Sequence, residues 1–132
     1  MSDQFNLEIV SPEDSFLKKD NVTEVVVPAF EGEMGILKEH ISIISFLKPG
    51  IIKINSGNEE NSFYVEDGIL EFKDNTLSIL TSNIFDIKNS DKTKIQEMIK
   101  KAEKDLSDEK LDDQKRFIIT QKVDVLKSLS LN

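Results

Sequence analysis

The segment EGEMGILKEHISIISFLKPG occupies residues 31–50 and carries the features on which the fold prediction depends. It begins with two carboxylates flanking a glycine, Glu31-Gly32-Glu33, and it ends with the triplet Lys48-Pro49-Gly50. Between them, residues 41–47 are mostly apolar and partly β-branched, which is typical of a strand. In the closing triplet, Pro fixes φ and Gly permits a left-handed backbone, so we predict a turn there.

The chain on both sides of this segment continues as short apolar runs separated by turn residues. The predicted strands cover residues 5–10, 22–27, 41–47, 51–54, 63–65, 69–72 and 77–80. Short strands that recur about every 8–12 residues are typical of a sandwich or barrel. Because the links are short, neighbouring strands should be mostly antiparallel. We therefore predict an N-terminal β-sandwich domain over residues 1–87.

Residues 88–132 follow a helical period instead, and neither Gly nor Pro occurs after Gly68. A first apolar stripe consists of Ile95, Met98, Ile99, Ala102 and Leu106. A second consists of Leu111, Ile118, Val125 and Leu129, widened by Phe117, Ile119 and Leu126. Stripes at this spacing indicate two amphipathic helices. The short link between them predicts an antiparallel two-helix hairpin.

Polar residues mark the expected starts of these helices. Asn89 or Ser90 can cap the first helix, and Asp91 is favourable in its first turn. Ser107-Asp108 interrupts the periodicity and can cap the second helix. The fold prediction is thus a mainly β domain followed by a C-terminal helical hairpin.

Composition narrows the classes of function. Cys is absent, which excludes thiol catalysis and disulfides, and the single His excludes a His-rich metal site. The net charge of −8 argues against general nucleic-acid binding, because phosphate contacts need a cationic surface. No run approaches the ~20 apolar residues of a membrane span. The start of the chain lacks the pattern of a secretory signal or transit peptide, which favours a bacterial source.

Charge is distributed unevenly along the chain. Residues 1–87 hold 16 acidic and 6 basic side chains, whereas residues 88–132 hold 9 acidic and 11 basic ones. This asymmetry predicts two parts with different surroundings.

The order of motifs resembles a known family. The Glu31 to Leu37 stretch, the following His40 and the Leu47 to Gly50 turn are similar to the signature of the epsilon subunit of F-type ATP synthases. Residues 5–11, 64–71 and 77–80 resemble further strands of that family. The resemblance covers essentially the whole chain, and it implies a β-sandwich followed by a helical hairpin.

The resemblance also implies a function. Members of this family are non-catalytic rotor subunits of the central stalk, and no cofactor is implied. The sandwich binds the gamma subunit and rests on the c-ring of the proton-translocating membrane sector. The subunit is peripheral to the cytoplasmic side of the bacterial plasma membrane, without insertion into the bilayer. The hairpin can extend transiently towards the alpha/beta catalytic head and restrain ATP hydrolysis, or it can be a structural appendage.

Contact residues follow from the resemblance. The expected c-ring contact is Glu31, Gly32 and Glu33, and the expected gamma contact is Ser11, His40, Ile41 and Ile43. Each has a simpler alternative: the carboxylates can be a solvated turn, and a lone His is often only structural. Catalysis by the paired carboxylates is disfavoured, since no other catalytic group is near them in sequence.

Some family members bind ATP at the start of the hairpin through an Ile/Leu-Asp-x-x-Arg-Ala motif. Here Asp91 matches that motif, but Lys94 stands in place of the Arg. A lysine is a point charge and does not reproduce the planar, bidentate grip of Arg on phosphate. The candidate ATP contacts are therefore Asp91 and Lys94, and the second of them weakens the prediction. A generic sandwich that binds another partner remains the alternative to the family as a whole.

Overall fold

A computed structural model describes residues 3–12, 14–38 and 41–130. The strands are β1 (Phe5–Ser11), β2 (Asp14–Val22), β3 (Glu24–Ala29), β4 (Gly32–Leu37), β5 (Ile43–Leu47), β6 (Gly50–Ser56), β7 (Glu59–Val65), β8 (Gly68–Lys73), β9 (Thr76–Leu80) and β10 (Ile84–Asp86). The helices are α1 (Lys92–Leu106) and α2 (Asp113–Ser130). The predicted fold class, a β-sandwich followed by two helices, is confirmed.

The strands form one curled sheet in the order β10-β7-β6-β3-β5-β8-β9-β1-β2, with β4 paired to β3. It folds into two layers where β3 meets β5 through a single residue pair, Ala29 with Leu47. Strands β1 and β9 are parallel, and the other paired strands are antiparallel as predicted. The apolar faces of the layers meet in a core that excludes water.

Alternation along the strands supplies this core. Its buried members are Phe5, Leu7, Ile9, Val22, Val25, Val27, Ile36, Leu47, Ile52, Ile54, Phe63, Val65, Leu70, Phe72, Leu77 and Ile79. Apolar burial of this extent is the main stabilising contribution to such a domain. Burial of these residues also determines which side chains point outward, because successive side chains of a strand point to opposite faces of the sheet.

Three strands were not predicted from the sequence. Strand β2 was missed because it is an edge strand whose exposed positions include Lys18 and Asp20, and charges are common on edges. Strand β4 was interpreted as a loop because of Gly32 and Gly35, and β10 has only three residues. The predicted strand 22–27 was also misplaced, because Val22 ends β2 and β3 begins at Glu24.

The predicted role of Gly50 is wrong in its detail. Positive φ angles among the described glycines occur at Gly32, Gly57 and Gly68, so Gly50 has no left-handed backbone. Its requirement is close packing instead: a Cβ at Gly50 would lie 2.4 Å from the Cβ of Pro28. The Lys48 N–H donates to Pro28 O at 3.0 Å and holds the two segments together.

Helix α1 buries Ile95, Ile99 and Ala102, as its stripe predicts. Its N-cap is Asp91, not Asn89 or Ser90: the Asp91 carboxylate accepts the N–H of Thr93 at 2.9 Å. Of the two residues predicted as caps, Ser90 instead donates its hydroxyl to Ile87 O.

Helix α2 begins later than the Ser107-Asp108 break suggested. The carboxylate of Asp112 accepts the N–H of Lys115 at 2.8 Å, and this bond caps the helix. The buried residues of α2 are Val123 and Leu126, and the first of these was not in the predicted stripe. Neither helix of the described residues has the length and apolarity that a bilayer crossing would need.

Candidate functional site

One outer face of the sandwich carries large apolar side chains that nothing in the described chain covers completely. Phe46 of β5 pairs with Ile69 of β8, which pairs with Leu80 of β9. Ile44 lies two residues before Phe46 and therefore points to the same side of the sheet. We call Ile44, Phe46, Ile69 and Leu80 the bare face.

The exposed fractions are large for side chains of this type. Ile44 is 66%, Phe46 58%, Leu80 53% and Ile69 43% exposed. Single exposed apolar residues are ordinary, but a contiguous group on one face marks an interaction surface. The bare face is therefore the first candidate site.

The character of the face changes along the strands. Glu71 of β8 pairs with Ile44 of β5, and Ser78 of β9 pairs with Glu71. A partner on this face would thus meet apolar groups at the Leu47 end of β5 and polar groups towards its start.

A groove borders the bare face where the sandwich meets α2. Its volume is about 630 Å³, and its apolar lining includes Pro12, Phe30, Phe46, Leu80 and Ile118. The groove extends the apolar surface from the sheet onto the helical hairpin. It has the size and lining of a site that receives a partner's side chains.

The second candidate site is the turn between β3 and β4, which we call the tip and define as Glu31, Gly32 and Glu33. The side chains of Glu31 and Glu33 are exposed. Gly32 has a φ of +132°, which favours glycine, and the N–H of the preceding Phe30 donates to Phe46 O at 3.1 Å. The tip is therefore a tight hairpin that presents two carboxylates and is tied to the strand of the bare face.

The expected gamma-contact residues fall at different places. Ser11 is the last residue of β1 and follows Val10, which pairs with Leu80. Ile41 precedes β5 and Ile43 begins it, at the end of that strand away from Phe46. Ile41 is 77% exposed, but Ile43 packs against the sandwich core. His40 lies outside the described residues. One partner that touches both ends would have to cross the bare face, a distance of about 13 Å for the length of β5.

Sequence reasoning missed Ile44, Phe46, Ile69 and Leu80 as site residues. A signal was present in residues 43–47, where four of five side chains are apolar instead of alternating. A strand with apolar residues on both faces indicates burial on both faces, and here only one face is covered by the chain itself.

The candidate ATP contacts lie at the start of α1. Asp91 and Lys94 are exposed and line a crevice of about 440 Å³ together with Phe16, Phe85 and Met98. One carboxylate oxygen of Asp91 is already used to cap the helix. Binding of ATP here stays a prediction, and calorimetric titration with ATP would test it.

The hairpin packs mainly on the layer that does not carry the bare face, and Ile118 of α2 reaches the groove beside that face. Ile95, Ile99 and Leu126 bury Tyr64, which projects from the outer side of β7. Lys122 of α2 forms an ion pair with Glu66 at 2.7 Å. The described residues contain no group of three or more acidic or His side chains that could hold a metal ion.

Comparison with known proteins gives consistent results. A family model described as "ATP synthase, Delta/Epsilon chain, beta-sandwich domain" matches residues 4–87. The "ATP synthase epsilon chain" of Pelagibacter ubique is 62% identical over 98% of this chain and 100% of its own length. The protein of the same name from Parvibaculum lavamentivorans is 36% identical, with 98% and 97% covered.

Solved structures share the fold at low sequence identity. A chain in the cryo-EM structure of the Euglena gracilis mitochondrial ATP synthase (OSCP/F1/c-ring) superposes with a TM-score of 0.77 at 20% identity, covering 100% of this chain and 84% of that chain. A chain in the central stalk/c-ring structure of the Tetrahymena thermophila enzyme gives 0.64 at 17% identity, with 98% and 99% covered. These likenesses extend over both the sandwich and the hairpin.

Proposed function

The chain belongs to the epsilon-chain family of ATP synthases, and from this premise we propose that it is a non-catalytic rotor subunit of the central stalk. In this role it joins the gamma subunit to the c-ring of a proton-translocating ATP synthase. It is peripheral to the cytoplasmic side of the bacterial plasma membrane. The observation that carries the proposal is the bare face, which exposes a row of large apolar side chains on an otherwise acidic domain.

Gamma is the proposed occupant of the bare face. Ser11 and Ile41 flank opposite ends of that face, so a partner that contacts both covers Phe46 and Leu80 between them. Burial of apolar area supplies most of the affinity of such an interface, and the polar row with Glu71 orients the partner. Ile43 supports the contact from beneath, since its side chain faces the core.

The tip is the proposed c-ring contact. Glu31 and Glu33 project from a turn that is short and held to β5, so the carboxylates are presented without a flexible loop. Exposed carboxylates favour polar or basic partner groups. This assigns gamma and the ring to adjacent surfaces of one domain, as a mechanical link requires.

Co-expression with the gamma subunit, followed by purification through a tag on gamma, tests the first part. We expect a stoichiometric complex that survives dilution to micromolar concentration. Absence of such a complex would overturn the rotor assignment.

The double variant Glu31→Gln/Glu33→Gln tests the second part. We expect normal gamma binding but reduced proton-driven ATP synthesis by the assembled enzyme. The matched control is Glu59→Gln/Glu60→Gln, which changes two exposed carboxylates beside the β6–β7 turn at the other end of the sandwich. Equal loss in both variants would show that the tip has no special role.

A second function is supported by the position of the hairpin. The hairpin packs mainly on the layer opposite the bare face, and Ile118 of α2 reaches only the groove at its border. Departure of the hairpin would therefore open that groove but leave the bare face itself in place. We propose that it transiently contacts the alpha/beta catalytic head and restrains hydrolysis. Deletion of residues 88–132 should then raise ATP hydrolysis by the assembled complex, and unchanged hydrolysis would leave the hairpin a structural appendage.

A further inference from the structure

The hydroxyl of Tyr64 is buried where the hairpin covers the sandwich. Tyr64 is 0% exposed, and its ring stacks on Phe85 at a centroid distance of 5.0 Å. Ile95, Ile99 and Leu126 complete an apolar enclosure. Among the described residues, no group donates to or accepts from this hydroxyl. A polar group buried in this way destabilises the state that buries it.

The hydroxyl stays protonated in this setting. Burial raises the pKa of Tyr64, and the carboxylates of Glu66 and Asp67 raise it further. The group therefore keeps an O–H donor that has no acceptor. The carboxylate of Glu66 is already engaged, because one oxygen pairs with Lys122 and the other accepts from Asn83 Nδ2 at 3.1 Å.

The cover over Tyr64 can move as one body. Arg116 of α2 donates from Nη1 to Leu106 O at 2.9 Å and from Nη2 to Asp108 O at 3.1 Å, which clamps the end of α1 to α2. Lys127 of α2 also forms an ion pair with Glu103 of α1 at 3.3 Å. The segment from Ile87 to Asp91 is the covalent connection to the sandwich. Separation at the Tyr64 surface therefore leaves the hairpin intact.

We propose that Tyr64 is a positioning residue that biases the hairpin towards leaving the sandwich. Its hydroxyl lacks a partner only while the hairpin is docked, and water hydrates it once the hairpin departs. The apolar enclosure and the Lys122–Glu66 pair favour the docked state, and the hydroxyl of Tyr64 opposes them. This role of Tyr64 rests on the proposed release of the hairpin, but the equilibrium exists in the free chain and needs neither gamma nor the c-ring.

A single thiol can report this equilibrium, because the chain contains no Cys. In an Ile99→Cys background, the thiol lies within the apolar enclosure and reacts with a maleimide only when the hairpin has left. With rapid opening and closing, the rate of modification is proportional to the undocked fraction. The measurement remains sensitive when that fraction is very small.

The deciding variant is Tyr64→Phe, which removes only the hydroxyl oxygen and preserves the ring. We expect modification to slow by roughly tenfold, because the docked state no longer contains an unsatisfied donor. An unchanged or faster rate would overturn the proposal, and would mean that the hydroxyl is satisfied while docked.

The matched control is Ser56→Ala. Ser56 carries the other buried hydroxyl without a partner among the described residues, but it lies on the core side of β6, away from the hairpin. We expect Ser56→Ala to leave the modification rate unchanged while Tyr64→Phe slows it. If both variants slow modification equally, the thiol is reached only by global unfolding, and a separate docking equilibrium does not exist.

Discussion

The Nζ of Lys122 in α2 lies 2.7 Å from Oε1 of Glu66, and the two side chains are only 24% and 18% exposed. This ion pair joins the hairpin to the sandwich. A second pair, Lys127 with Glu103 at 3.3 Å, joins the two helices to each other and is about half exposed. The Lys122–Glu66 pair therefore contributes to docking of the hairpin on the sandwich. The Lys127–Glu103 pair contributes only to the contact between the two helices.

Replacement of Lys122 by Met should weaken docking. The variant keeps the apolar stem but leaves Glu66 without its cation, and we expect a loss of about 1 kcal/mol from the docked state. The measurement is faster maleimide modification of the thiol in the Ile99→Cys background. Lys127→Met is the control and should leave that rate nearly unchanged, so equal acceleration by both variants would contradict the prediction.

Alkaline pH should undock the hairpin through Tyr64. In an exposed state the phenol ionises near its ordinary pKa of about 10, whereas burial raises the pKa in the docked state. The docked state is thus at full stability below about pH 10 and loses stability as pH rises above that value.

The Tyr64→Phe variant isolates the contribution of the phenol, since it retains every lysine. The chain has one Tyr and no Trp, so phenolate absorbance reports Tyr64 alone. We expect ionisation at higher pH in the folded chain than in urea, and a smaller rise in maleimide modification above pH 10 in Tyr64→Phe. Coincident absorbance titrations of the folded and urea-unfolded chains would refute this.

Gly50→Ala should destabilise the sandwich. The added Cβ would lie 2.4 Å from the Pro28 Cβ and 2.8 Å from its Cγ, so the strands must separate. We expect a loss of about 1–3 kcal/mol in the free energy of unfolding, measured by urea denaturation. At Gly35 the nearest atom to an added Cβ is the end of the Glu24 side chain at 3.5 Å, so Gly35→Ala should be nearly neutral. Comparable losses at both positions would contradict the steric argument.

Phe46→Gln should weaken gamma binding without unfolding the chain. Phe46 is 58% exposed, so its loss costs the free domain little, but a central aromatic in an interface commonly contributes 2 kcal/mol or more, roughly 30-fold in Kd. Titration of labelled gamma measures the change. Leu37→Gln is the control, because Leu37 is 56% exposed on β4, outside the bare face. Identical affinity of Phe46→Gln and the parent chain would exclude the bare face as the gamma contact.

Local patterns in the sequence predicted the fold class but not every strand. Residues 5–11 alternate cleanly, and α1 has an uninterrupted stripe, so both elements could be located from one segment at a time. Strands β2 and β4 are formed by pairing: β2 by its ladder with β1, and β4 by its ladder with β3 despite two glycines. Propensity within a segment does not contain that information.

The candidate site was predictable only in part, for a similar reason. Glu31 and Glu33 are recognisable because the motif around them is contiguous. Phe46, Ile69 and Leu80 lie on three separate strands. They are neighbours only because of the register in which β5, β8 and β9 pair, and no single segment of the sequence specifies that register. Tyr64 and Lys122 gain their roles only when α2 crosses the sandwich.

The tip has a mechanical consequence. Two backbone hydrogen bonds beside it, from Phe30 N–H to Phe46 O and from Lys48 N–H to Pro28 O, connect strands of different layers. A force applied sideways at Glu31 is therefore shared by both layers of the sandwich. With the Ala29–Leu47 pair between them, these bonds must yield together before the turn can swing. We therefore expect a displacement of Glu31 to be passed to both layers of the sandwich and not to be absorbed within the turn.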